Sequence, residues 1–382
     1  MEDKTVADIN EDGIASCFYP SLDRLRIILM FLMCINLFGF PTAFGGMVRT
    51  LCGFVPIAFY IISGYLVLQD NEHLPPLLLS SSFFTDRPVI RQNDTRSKRI
   101  ARAVRRSAVA FAVLAVAFFL INFFYFRSSG VNILPAFKDA RLWFNFLALN
   151  YWPFDIGSII WYVQSMLYAY VIIWFLDKWK LLRFDWLISL LLIIVAVLSG
   201  ELAGVLPINI FGYTYFHGNF INRALPYILL GGFIRRKMDK LGGVARIWYV
   251  VGIVIGSIMT VAETVILAHF GVPGYYGHLI GMAVVAFSVC MLAFQDCAPI
   301  PGFEAVFGIP RGCLDMIYYI AQPVSIGLTM LLAKLDTEIV AAAIGFVGIT
   351  VFIVCFLAVW LISLAVRFLN RNKVPPDIAV GD

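Results

Sequence analysis

The chain has 382 residues, of which 61% are hydrophobic and only 14% are charged, and its mean hydropathy is +0.86. Globular chains carry about 25% charged residues, and so few charges cannot form a soluble surface. The composition excludes a soluble enzyme, a disordered tail and a nucleic-acid-binding module, and it indicates an all-helical, polytopic membrane protein. The net charge of +5 says little as a total. The topology depends on where the charges lie.

Apolar runs long enough to cross a bilayer occur along the whole chain. A hydrocarbon core of about 30 Å needs about 20 residues of helix. Most runs reach that length free of charge, and the rest do so by including a flanking ionisable residue. We predict a bundle of ten transmembrane helices, at 24–40, 50–68, 104–126, 158–177, 184–203, 219–235, 245–269, 276–294, 312–334 and 338–368. A further half-buried segment is expected at Leu142–Leu149, with Trp152.

Basic residues orient the predicted bundle. With the N-terminus in the cytoplasm, 23 of the 29 Lys and Arg fall in cytoplasmic segments and 6 outside. Because positive charge favours the cytoplasmic side, both termini are expected there, in a multi-pass plasma-membrane protein. The tails are 1–23 and 370–382, and the transmembrane domain is 24–369. Within that domain, 69–106 is a basic cytoplasmic loop and 127–157 an outer loop.

Ionisable side chains gather near the predicted outer ends of the helices. Glu201, Arg223 and Glu263 lie at this level, as do His217 and His278. Such groups in an apolar chain are candidates for function, and with nearby tyrosines they are suited to a polyhydroxylated substrate. The alternative is an ordinary interfacial belt of polar and aromatic residues.

On the cytoplasmic side, Arg99, Arg102 and Arg106 share one helical face at spacing i, i+3, i+7. That face could hold the phosphates of an anionic cofactor or lipid headgroup, or it could serve orientation and lipid contact alone. The motifs of soluble hydrolases and nucleotide-binding proteins are absent. The seven cysteines contain no CxxC pair, so no metal site is expected.

Several short strings, read in order, resemble the acyltransferase family 3 membrane proteins, which acylate cell-surface sugars. The strings are Leu22-Asp23-Arg24-Leu25-Arg26, Phe59-Tyr60-Ile61-Ile62-Ser63-Gly64-Tyr65-Leu66, Lys98-Arg99-Ile100-Ala101-Arg102, Ile160-Trp161-Tyr162, Arg223-Ala224-Leu225-Pro226-Tyr227 and Tyr318-Tyr319-Ile320-Ala321-Gln322-Pro323. Their order and spacing cover most of the chain. The segment around Ser63-Gly64-Tyr65 carries most of the likeness.

The resemblance implies transfer of an acyl group, expected to be acetyl, from acyl-CoA in the cytoplasm to a hydroxyl of an envelope glycan or glycolipid. It implies membrane lipids, the acceptor and acyl-CoA as partners, with no nucleic acid and no metal. Four arginines would receive the phosphates of CoA: Arg24, Arg26, Arg99 and Arg102. The acceptor would contact Glu201, Arg223, Glu263, Trp161 and Gln322.

Two positions depart from the family pattern. The family carries a histidine, thought to be the catalytic base, ten residues after an arginine in span one; counted from Arg26, that position is Leu37, beside Asn36. The span-nine histidine is replaced by Ala321. An amide cannot take a proton at neutral pH, so Asn36 would orient a nucleophile or donate to an oxyanion. The base would then be His278 or His217.

Because the two expected histidines are missing, two other functions are also considered. A catalytically reduced member of the same fold would act as a glycolipid carrier, or as a structural or regulatory subunit of an envelope complex. A secondary transporter would suit the polar outer region, but the sequence has no inverted repeat or paired broken helices.

Overall fold

The computed structural model describes 20–38, 43–68, 95–128, 138–148, 159–199, 220–272, 279–295, 311–332 and 346–371, with single residues 130, 132, 135, 150, 152 and 154. These residues form helices and no β-strand. The helices are α1 (Pro20–Phe38), α2 (Ala43–Leu51), α3 (Phe54–Val67), α4 (Arg96–Ser128), α5 (Ala140–Leu147), α6 (Ile160–Lys178), α7 (Asp185–Ser199), α8 (Phe220–Arg223), α9 (Leu225–Arg236), α10 (Met238–Leu241), α11 (Arg246–His269), α12 (Ile280–Phe294), α13 (Arg311–Leu332) and α14 (Val347–Arg371).

Six helical segments are long and apolar enough to cross a membrane: Gly45–Val67, Arg96–Arg127, Ile160–Lys178, Leu181–Ser199, Arg246–His269 and Val347–Ala365. Two shorter apolar helices, Ile280–Phe294 and Met316–Leu328, accompany them. The predicted class, an all-helical multi-pass membrane protein, is confirmed in these described ranges. The described part of each of the ten predicted spans is also mainly helical, but the count of ten stays a prediction.

Several helix boundaries differ from prediction; for example, the predicted span 219–235 is divided at Ala224, between α8 and α9. Helix α4 starts at Arg96, eight residues before the predicted start of its span, and Arg96 forms a salt bridge of 2.8 Å with Asp177 at the end of α6. The predicted span 50–68 is broken at Cys52 and Gly53, which separate α2 from α3.

Polar contacts join helix ends on one side of the bundle, which we call the basic end. They are Ser21 Oγ to Ala293 O (2.7 Å), Arg96 to Asp177, Arg236 to Asp185, and Gln295 Nε2 to Val244 O (2.7 Å). They bring the starts of α1, α4, α7 and α11 beside the ends of α6, α9 and α12. Neighbouring long helices in the chain therefore run in alternate directions.

Helix α3 lies at the centre of the bundle, in contact with α1, α4, α9 and α12. Its closest neighbour is α9. A Cβ added to Gly64 would lie 1.9 Å from the Ile228 carbonyl oxygen, and one added to Gly231 would lie 2.1 Å from the Ile61 carbonyl oxygen. The two backbones touch directly, as small residues allow in membrane bundles.

A second apolar cluster joins α1, α13 and α14. Cys34, Ile317, Ala321, Val351 and Cys355 are each at most 1% exposed there. This packing holds α13, which carries Pro323 inside the helix, against α1.

We expect Gly64→Val to lower the free energy of unfolding by about 2 kcal/mol or more, because overpacking an interior of this kind typically costs 1–3 kcal/mol. Gly327→Ala on α13 is the matched control, since a Cβ there meets nothing within 4 Å. Thermal unfolding in detergent measures both. Equal melting temperatures for the two variants would contradict the described crossing of α3 and α9.

Candidate functional site

A group of hydroxyl-bearing side chains lies inside the bundle between α3, α6 and α13. We call it the hydroxyl core; it consists of Tyr60, Ser63, Tyr162, Ser165, Tyr170 and Tyr318. The pairs Tyr60/Ser63 and Tyr162/Ser165 are each spaced by three residues, which places both members on one face of their helix. This spacing is the feature of the sequence that could have predicted the site. A count of hydrophobic residues does not reveal it, because that count includes tyrosine.

The rings of the hydroxyl core pack against one another. Tyr60 stacks on Tyr162 with ring centroids 4.8 Å apart, and Tyr162 meets Tyr318 edge-on at 5.4 Å. The Tyr318 hydroxyl donates to the Ile159 carbonyl oxygen at 3.0 Å, and Tyr170 shares a short hydrogen bond with Ser63. The rings therefore fill the core, while these hydroxyl groups find polar partners.

The Tyr60 hydroxyl is different. The side chain is 1% exposed, and this oxygen makes no hydrogen bond with any described residue. Ser165 lies beside it without reaching hydrogen-bond geometry. Burying such a group unpaired costs about 1–3 kcal/mol. The position therefore favours a water molecule or a ligand hydroxyl as partner.

Residues from the connection between α4 and α6 close over the hydroxyl core. Asn150 donates through Nδ2 to Ser165 Oγ at 2.5 Å and to the Trp161 carbonyl oxygen at 3.0 Å. Its φ of 59° is one that asparagine tolerates better than most residues. Gln164, fully buried on α6, donates through Nε2 to the Phe146 carbonyl oxygen at 2.6 Å.

Two of the predicted acceptor residues meet at the edge of this core. The Arg223 guanidinium carbon lies 5.0 Å from the centre of the Trp161 ring, within the range of a cation–π interaction. The Trp161 ring in turn meets the Tyr162 ring edge-on, with centroids 5.9 Å apart. A positive charge is thus available beside the buried hydroxyl groups.

The other predicted acceptor residues do not join this pair. Glu263 accepts a hydrogen bond of 3.2 Å from the Gly281 backbone N–H, where α11 meets α12. Gln322 is half-buried on α13 beside Pro323. Glu201 lies outside the described residues, as do the predicted bases His217 and His278.

Asn36 is held at the junction of α1 and α2. Its Nδ2 donates to the Arg49 carbonyl oxygen at 3.1 Å, and Arg49 Nε donates to the Asn36 carbonyl oxygen at 2.8 Å. Leu37 beside it is half-buried, and Ala321 is enclosed in the apolar cluster of α1, α13 and α14. At or beside the two positions where the family pattern has histidine, the side chains therefore pack and bond within the fold: Asn36 joins α1 to α2, and Ala321 fills an apolar cluster.

The predicted phosphate-binding arginines lie near the basic end. Arg24 is exposed, Arg26 and Arg102 are half-buried, and Arg99 is 8% exposed. They belong to α1 and α4, which both pack against α3. Each of the two helices therefore carries arginines near its first turns, Arg24 and Arg26 on α1 and Arg99 and Arg102 on α4.

Sequence reasoning missed one further arginine, Arg235 at the end of α9. It is 2% exposed, and its Nη1 donates to the Tyr65 hydroxyl at 2.8 Å. The Tyr65 ring stacks in turn on Phe294 with centroids 3.8 Å apart. The feature of the sequence that could have indicated a buried Arg235 is its position directly after the apolar run Ile228–Ile234.

No known protein family, characterised protein or solved structure matches the chain.

The hydroxyl core predicts different effects for two similar substitutions. Tyr170→Phe removes the hydrogen bond to Ser63 and should lower stability by about 1 kcal/mol. Tyr60→Phe removes an oxygen that has no described partner, so the purified, ligand-free protein should keep or gain stability. Thermal unfolding of both variants in detergent tests this difference. A Tyr60→Phe loss as large as that of Tyr170→Phe would contradict it.

Proposed function

We propose that this protein is an integral membrane O-acyltransferase. It would transfer an acyl group, most simply acetyl, from acyl-CoA to a hydroxyl of an envelope glycan or glycolipid. The observation that carries the proposal is the hydroxyl core: an enclosed polar site, with Arg223 at its edge, in an otherwise apolar bundle. The ordered strings that resemble acyltransferase family 3 support the same reaction.

The proposal includes a transmembrane topology. Ten spans with both termini in the cytoplasm would place the basic end on the cytoplasmic side of the plasma membrane. The 23 to 6 division of basic residues supports this orientation, and the alternate helix directions are those that successive spans require. Acyl-CoA would then approach from the cytoplasm.

The donor would bind at the basic end. Arginine suits phosphate because its planar guanidinium can donate two parallel hydrogen bonds. Arg24 and Arg26 would take phosphates at the start of α1, and Arg102 at the start of α4. Arg99, mostly buried, would fix the position of the others more than reach solvent.

The acceptor would bind at the hydroxyl core. Aromatic faces such as those of Tyr60 and Trp161 suit the apolar faces of sugar rings, and buried hydroxyl groups suit their oxygens. In the reaction, the acceptor hydroxyl loses its proton to a base and attacks the thioester carbonyl, and the CoA thiolate leaves. Arg223 would stabilise the negative charge that develops on the carbonyl oxygen. His217 and His278 remain the proposed bases.

A second candidate is the catalytically reduced form, a glycolipid carrier or a subunit of an envelope complex. Two observations favour it: the Asn36 amide is bonded to the Arg49 carbonyl oxygen, and Ala321 packs among apolar side chains. A protein of this kind would bind the ligands without turnover.

Binding of CoA to the purified protein tests the donor site. Arg26→Ala and Arg102→Ala should each weaken CoA binding about tenfold, the equivalent of about 1.4 kcal/mol. Arg141→Ala, an exposed residue on α5, is the matched control and should leave the affinity unchanged. Isothermal titration calorimetry in detergent measures all three. No CoA binding at millimolar concentration would rule the donor site out.

Transfer of radiolabel from acetyl-CoA to extracted envelope glycolipid separates the two candidates. The acyltransferase predicts steady transfer that is lost in His278→Ala or His217→Ala. Binding of CoA or glycolipid with no transfer, in protein that unfolds cooperatively, would support the reduced form and contradict the enzyme.

A further inference from the structure

Helix α5, which lies between α4 and α6 in the chain, packs beside the middle of both helices. The Phe146 ring stacks on Phe111 with centroids 5.7 Å apart, and its carbonyl oxygen accepts from Gln164. Helix α4 continues for 17 residues beyond Phe111 to Ser128, about 25 Å at 1.5 Å per residue. Helix α5 therefore lies well below the end of α4 and alongside its apolar span.

A second contact also places α5 beside the middle of a long helix, in this case α6. The Tyr168 hydroxyl donates to the Leu147 carbonyl oxygen at 2.7 Å, and Tyr168 lies eight residues into α6, about 12 Å from its start. Both helices that flank α5 are long and apolar enough to cross a membrane over these residues. Backbone at that depth is tolerated where protein satisfies its polar groups, as Gln164 and Tyr168 do here.

Helix α5 buries one apolar side against the bundle and exposes a second, mostly apolar side that also carries Arg141. The buried side holds Phe146, whose ring meets Trp152 at 5.2 Å. The other exposes Trp143 (41%), Phe144 (61%) and Leu147 (50%). At the depth of the membrane spans, an exposed face of this composition suits contact with lipid acyl chains.

Behind α5 lie polar atoms that suit a ligand. The Tyr60 hydroxyl and Gln164 Oε1 are both buried, and neither has a hydrogen-bond partner among the described residues. Asn150, a few residues after α5, donates into the same region. Through the Phe146 carbonyl oxygen, α5 packs directly against Gln164 on this polar side.

We propose that α5 is a lipid-facing wall of the hydroxyl core and that the core takes its ligand laterally from the bilayer. The ligand class is an amphiphile, with an apolar tail held along Trp143 and Phe144 and a hydroxyl-bearing headgroup at Tyr60 and Gln164. The inference rests on the proposed function for the fate of that headgroup, and it makes the acceptor lipid-linked. Its geometry is tested separately.

Crosslinking tests the position of the wall. In vesicles, Phe111→Cys/Phe146→Cys should be joined by a short bis-methanethiosulfonate reagent. Phe118→Cys/Phe146→Cys should not, because Phe118 lies on the same face of α4 about 10 Å further along. Each single variant gives the background from native cysteines. Crosslinking of the Phe118 pair alone would overturn the placement of α5.

Spin labels test the lipid contact. A label at Phe144→Cys should be relaxed by oxygen and shielded from an aqueous nickel complex. Val113→Cys, 62% exposed before substitution on α4, is the lipid-facing control, and Lys180→Cys, exposed between α6 and α7, is the aqueous control. Nickel access at Phe144 equal to that at Lys180 would contradict a lipid-facing wall.

A crosslink that fixes α5 to α4 tests whether the ligand enters from the bilayer. The crosslinked Phe111/Phe146 variant should bind a fluorescent monoglucosyl diacylglycerol about tenfold more weakly, and a reductant should restore binding. The Phe118/Phe146 variant should bind normally. Unchanged binding in the crosslinked protein would overturn lateral access. If binding depends on the wall but acetyl transfer is absent, the inference stands and the proposed acyltransferase fails.

Discussion

The direct contact between the backbones of α3 and α9 at Gly64 and Gly231 determines how the rest of the bundle is arranged. Because neither position has room for a Cβ, the two helices cross at the closest possible separation. This puts α3 at the centre, where its other side chains meet several neighbours. Tyr60 and Ser63 reach α6 from that central helix, and Tyr65 reaches Arg235 on α9.

The polar groups enclosed by this packing are few, and most are paired locally. Asp185 and Arg236 form a salt bridge, and Arg235 bonds to Tyr65, so charge at the basic end is held by specific partners. In an apolar interior each such bond is electrostatically stronger than in water, and each missing bond costs more. The Tyr60 hydroxyl and Gln164 Oε1 make no such bond with the described residues, so both suit a ligand or water molecule near α3 and α6.

Hydropathy and charge predicted the helices well, because crossing a bilayer requires long apolar runs and a biased distribution of basic residues. The site was predicted only in part. Trp161 and Arg223 do meet, but Ser63 and Tyr170, 107 positions apart, come together through long-range packing that no local pattern encodes. A half-buried segment was expected near Leu142; that its helix lies beside Phe111 depends on the fold of the whole connection. Glu263 was selected by charge alone, whereas its contact is with the Gly281 backbone.

Electron cryo-microscopy of the protein in native-lipid nanodiscs, with CoA added, is the most direct measurement of whether both proposed sites hold their ligands. The account predicts density for CoA beside Arg26 and Arg102, and density for a lipid with a polar headgroup reaching Tyr60 behind α5. A hydroxyl core that is closed and empty, with no CoA at the basic end, would contradict it.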